Sequence, residues 1–131
     1  MQFLQPPGWP RAKGYSNGVA AKGTMVFVAG EIGWNPVTER VVSDDFTAQF
    51  RQALENTVAI LKEANARPDH IVRMTWFITD KKAYLDDARA VGQAWRDVIG
   101  RHYPAMAVIE VKGLMEPGAM VEIETTAVIP D

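Results

Sequence analysis

Hydrophobic and polar residues alternate strictly over Val121-Glu122-Ile123-Glu124, and more loosely over Val108-Ile109-Glu110-Val111-Lys112. Side chains of a strand point to opposite faces in turn, so Glu122 and Glu124 share one face of the later strand. By the same count Glu110 and Lys112 share one face of the earlier one. A Pro117-Gly118 turn separates the two. The apolar faces need a core, and the charge-bearing faces need water or another subunit over them.

Upstream, Met25 to Gly30 reads as a strand, with short strands expected at Val19 to Lys22 and Arg40 to Val42. Gly33-Trp34-Asn35-Pro36 carries loop signals. Phe46, Phe50, Ala53, Leu54, Thr57, Val58 and Leu61 recur at helical spacing, which predicts an amphipathic helix to about Ala64. Ser43 or Asp44 is its expected N-cap. Ile71 to Thr79 is rich in β-branched and aromatic residues and predicts another strand. Asp80 then caps a second helix from Ala83 to about Gly100, with Leu85, Ala88, Val91, Trp95, Val98 and Ile99 on its inner stripe. Residues 1–14, with Pro6, Pro7 and Pro10, form an extended lead-in.

The order β-β-(β)-α-β-α-β-β predicts a single α+β domain over residues 1–131, with two helices on one face of a mixed sheet. The other face, assigned Val26, Val28, Met74 and Trp76 by parity, is expected to be covered by association.

Composition narrows the function. The chain has 131 residues, 47% of them hydrophobic and 23% charged, as expected of an ordinary globular domain. A net charge of -2 and a pI near 5.7 argue against a nucleic-acid partner. There is no cysteine, which removes disulfides, thiolate catalysis and Cys-based zinc sites. No apolar run reaches the ~18–20 residues of a membrane span. The first residues lack the basic start and apolar core of a signal peptide, so a cytoplasmic protein is expected. His70 and His102 lie in different loops and no ligand spacing accompanies them, so no metal is expected. Neither Ser16 nor Ser43 sits in a nucleophile elbow, and phosphate-binding glycine loops are absent.

From Gly14 to Val128 the chain resembles the RidA/YjgF family of reactive imine/enamine deaminases, also known as L-PSP endoribonucleases. The matching segments are Gly14 to Gly18, Val26 to Ile32, Gln52 to Asn56, Ile71 to Asp80, Tyr103-Pro104-Ala105 and Val121 to Glu124. The resemblance implies a chorismate-mutase-like α+β sandwich, forming a homotrimer with a central β-barrel and small-molecule clefts between subunits. It also implies hydrolysis of small imines or enamines to keto acid and ammonia, with no cofactor.

Departures from the family pattern point to an arginine-lacking branch. Met106 stands where the family's arginine grips a substrate carboxylate, a bidentate task Met cannot copy. Ala29 replaces a small hydroxyl residue, Glu31 a glutamine, Ala88 an asparagine and Val108 a cysteine. Tyr15, Gly30 and Glu122 keep the pattern. The resemblance casts Glu122 as the group that activates water, with the Gly30 amide and Tyr15 hydroxyl orienting the ligand; Ala29, Glu31, Trp34, Met106 and Arg101 complete the candidate site.

Each of these has a plainer alternative. Glu122 is equally well an edge carboxylate paired with Lys112 or Arg73. Tyr15 is otherwise a surface aromatic, and Met106, paired with Trp34 as a pocket wall, is otherwise a gap-filler. Arg101 either supplies a displaced cation or caps a solvated helix end. With Glu31 and Met106 in the cleft, a neutral, cationic or aromatic ligand is expected in place of a small 2-imino acid. A non-catalytic binding or regulatory trimer using the same cleft is the alternative function, and ribonuclease activity a distant third.

Overall fold

A computed structural model describes residues 1–131. Eight strands are present: β1 (Gln2–Leu4), β2 (Gly18–Ala20), β3 (Gly23–Ile32), β4 (Trp34–Asn35), β5 (Arg40–Val41), β6 (Ile71–Ile78), β7 (Ala105–Glu110) and β8 (Val121–Pro130). Three helices accompany them: α1 (Phe46–Glu63), α2 (Lys81–Asp86) and α3 (Ala88–Val98). The principal sheet runs β3-β8-β6-β7, antiparallel except for the β6–β7 pair. β7 is parallel to β6 because the chain crosses over through α2 and α3 before returning.

α1 forms as its pattern predicts. Its N-cap is Asp45, one or two residues later than expected, and the Asp45 carboxylate accepts from the Ala48 amide at 2.9 Å. Ser43 instead accepts from the Asp45 amide. Phe46, Phe50, Ala53, Leu54 and Leu61 are buried against the sheet. The core joins them to Ile71, Met74, Trp76, Ile78, Val121 and Ile123.

Several expectations are corrected. The second helix is broken in two at Asp87, whose carboxylate accepts from the Thr47 hydroxyl on α1 at 3.0 Å and whose backbone leaves the helical region. Leu85 consequently turns outward and is exposed, while Val91 and Trp95 stay buried. Val28, Met74 and Trp76 lie under the helices and not on the open face: the register sets Val28 and Met74 beside Thr125, and Trp76 beside Ile123. Val26 also packs against the core. Trp34-Asn35 is a short strand paired with β5, and the lead-in contains β1, which pairs with β2. Lys112 lies beyond the end of β7, so it does not share a strand face with Glu110, whose carboxylate accepts from the Lys81 amide at 2.7 Å.

The open face of the sheet carries the complementary residues. Phe27, Thr126 and Arg73 form one row across it, and Phe77 and Glu122 another. Phe27 is 70% exposed and Met25 56%, a large amount of apolar surface for the middle of a strand. No helix is long and apolar enough to cross a membrane.

Candidate functional site

The candidate residues fall into two separate groups, with Met106 and Glu122 on opposite faces of the sheet. The first lines a groove of about 510 Å³ between the β6–β7 edge, α2, α3 and the N-terminal segment. Trp76 and Met106 are on the strands, and Tyr84 is on α2. Val91, Gly92, Trp95 and Arg96 come from α3, and Lys13, Gly14, Tyr15 and Tyr103 close the rim.

Aromatic packing builds this groove. Trp76 meets Phe50 edge-on at 4.7 Å, lies 5.8 Å from Trp95, and Trp95 stacks on Tyr103 at 6.3 Å. The Trp95 indole donates to the His102 carbonyl at 3.1 Å, which fixes the ring. Burial pushes the Tyr84 hydroxyl pKa above its usual value. Ser16 ties the N-terminal segment to the start of β7: its hydroxyl donates to the Tyr103 carbonyl and its amide to the Pro104 carbonyl at 3.0 Å. That anchor sets Tyr15 beside Met106. Met106 is half-buried, packs on the core and lines the groove.

The second group gathers where β3 meets β8. Register is irregular between Val28 and Glu31, and Ala29 and Gly30 fall in that irregularity. The Glu122 carboxylate lies against Gly30: a Cβ added there would sit 2.6 Å from Oε2. Any side chain at residue 30 would displace it. Trp34 donates to Glu31 at 3.5 Å, a long contact at the limit of a hydrogen bond. Burial raises the Glu31 carboxyl pKa first, the charge of Glu122 raises it further, and the Trp34 donor opposes both.

Asn56 supports this region from α1, donating to the Trp34 carbonyl at 2.9 Å and to the Ile32 carbonyl at 3.3 Å. Gln49, fully buried, does the same for the neighbouring loops. It donates to the Ser43 and Gly118 carbonyls and accepts from the Met120 amide at 2.8 Å.

The groups do not meet within one chain. Met106 pairs with Met74, while Glu122 pairs with Phe77 two strands from β7. At ~4.8 Å per strand and ~3.4 Å per residue their Cα atoms are about 14 Å apart, with side chains on opposite faces. Trp34 therefore shares no wall with Met106. Arg101 is exposed and lines neither group. Glu122 joins none of the three ion pairs, so the pairing with Lys112 or Arg73 is not formed. Lys13, Trp76, Trp95 and Arg96 were not foreseen as site residues.

Residues 9–129 match the family described as Endoribonuclease L-PSP. The chain belongs to the RidA/YjgF family. This RidA/YjgF protein is 36% identical over 129 residues to a RutC family protein of Aquifex aeolicus, covering 98% of this chain and 99% of that one. It is also 36% identical over 109 residues to the 2-iminobutanoate/2-iminopropanoate deaminase of Salmonella typhimurium, covering 81% and 80% of the two chains. Among solved structures, a Yersinia pestis protein of unknown function from the Rid family, YyfB, superposes with a TM-score of 0.86 at 26% identity, over 98% of both chains. The α+β fold and mixed sheet of this RidA/YjgF chain are thus shared with relatives of very similar length.

Proposed function

We propose that this protein hydrolyses small reactive imines or enamines, in clefts formed where copies of the chain meet. The observation that carries the reading is the Glu122 carboxylate held against the Gly30 backbone, half-buried and free of any cationic partner. A carboxylate in that state is suited to take a proton from water. Hydroxide then adds to the C=N carbon, the nitrogen gains the proton, and collapse of the carbinolamine releases ammonia and leaves the carbonyl product. Atoms balance without metal or cofactor.

The cleft itself is inferred from separation and exposure. One chain holds Tyr15 and Met106 apart from Gly30, Glu31 and Glu122, so an enclosed site needs a second copy. The exposed Phe27 and Met25 on the open sheet face supply apolar surface for such packing. A trimer around this face, its sheets forming a barrel, is the assembly we favour. The deaminase relatives of this family support the chemistry by similarity.

Met106 favours a second reading, a binding or regulatory trimer that uses the same cleft without turnover, since the expected carboxylate grip is missing. The two are separated by measuring keto-acid release from freshly generated imino acids, with Glu122→Gln as the control. Release lost in the variant supports hydrolysis. Release that survives unchanged rules out the role given to Glu122.

A further inference from the structure

The groove holds cations of its own. Arg96 lies on α3 four residues after Gly92 and eight after Ala88, and all three face the groove. Two small residues leave room, and the arginine folds back over them as helical side chains do. Its Nη1 lies 3.4 Å from where a Gly92 Cβ would sit, and Nη2 donates to Gln93 at 3.2 Å. Lys13 stands on the rim. Neither cation joins an ion pair, and no Asp or Glu lines the groove.

The rest of the lining is aromatic and apolar. Trp76 and Trp95 reach the groove from the core, only 6% and 3% exposed, beside the half-buried Tyr103 and Met106, and the buried Trp76 indole N–H finds no acceptor in the chain. We infer that the groove binds an aromatic carboxylate, its ring among Trp76, Trp95 and Tyr103 and its anion held by Arg96 with Lys13. The guanidinium on α3 takes over the carboxylate grip that Met106 cannot provide. Because Glu31 lies outside the groove, the acidic wall that would favour a cationic ligand is absent from this half of the site. For substrate, the consequence is an aromatic 2-imino acid in place of a two- or three-carbon one. The inference rests on the ligand-cleft reading above and gives that site its specificity.

The test is calorimetric titration of the intact protein with phenylpyruvate, pyruvate and acetophenone. Phenylpyruvate has both ring and carboxylate, and the other two have one each. Phenylpyruvate should bind at least about tenfold more tightly than either, and less tightly as salt rises from low to high. Arg96→Gln should weaken it about tenfold, and Lys13→Gln less, while acetophenone binding stays unchanged in both. Arg96 and Lys13 are exposed, so both variants should keep the far-ultraviolet spectrum of the parent. Equal affinity for acetophenone and phenylpyruvate, binding indifferent to Arg96→Gln, or no binding of phenylpyruvate would each overturn the inference. Turnover is a separate readout. Arginine-dependent phenylpyruvate binding without imine hydrolysis would support the groove and count only against the proposed chemistry. Hydrolysis of aromatic imino acids that ignores Arg96→Gln would sink the groove alone.

Discussion

Glu122 rests on Gly30 so closely that a methyl group on the glycine would occupy the space of the carboxylate, 2.6 Å from Oε2 and 2.8 Å from Cδ. Glycine at this position is a packing requirement of the acid. It is not a demand of backbone torsion.

Gly30→Ala should therefore move the Glu122 carboxylate at little cost in stability, since a flexible side-chain end can swing away. Imine hydrolysis should fall much further than the melting temperature. Gly33→Ala makes the contrast. A Cβ there would meet the Gln49 carbonyl at 2.4 Å, on backbone that cannot yield, so destabilisation of about 1–3 kcal/mol is expected. Urea unfolding of the pair checks this, and equal losses of stability would refute it.

Gln49→Leu should cost about 2–4 kcal/mol, because it strands the Ser43 and Gly118 carbonyls and the Met120 amide in a buried setting. Denaturant unfolding reads the effect. A loss under about 0.5 kcal/mol would show that water takes over those bonds.

Glu31 gives a prediction with a sign. Its carboxyl pKa is raised in the folded chain above the ordinary 4.5. The folded state therefore holds this proton more tightly than the unfolded one, and the resulting stability is present at low pH and lost as pH climbs through the raised value. Glu31→Gln removes the charge and keeps an acceptor for Trp34. The variant should be more stable than the parent at pH 7.5, by less than about 1 kcal/mol given partial exposure, and the gap should close near pH 4. Unfolding curves at the two pH values decide it; a gap that widens on acidification would contradict the burial of Glu31.

Much of the fold was legible because local period and burial agree. In β8 the alternation of Val121 and Ile123 with Glu122 and Glu124 reports directly which side meets the helices, and the spacing of Phe50, Leu54 and Leu61 does the same for α1. The break at Asp87 was hidden, since it depends on Thr47 of a distant helix. Parity alone could not say which side of β3 and β6 faces the core, because Val28, Met74 and Trp76 are apolar on either assignment and only the register with β8 decides. Arg96 escaped notice for a related reason. An arginine on a helix looks solvated until the crossover sets it opposite Trp76 and Met106. The spacing Ala88, Gly92, Arg96 was the one available hint.

The central claim is that each chain carries two incomplete half-sites, which only association can join across the open sheet face. Light scattering with size-exclusion chromatography tests it most directly, on the intact chain and on Phe27→Asp, which puts a charge at the most exposed aromatic of that face. The intact chain should elute at three times its 14.5 kDa mass, and the variant should shift toward the single chain with its helix content retained. A folded 14.5 kDa species of the intact chain at micromolar concentration would contradict the account.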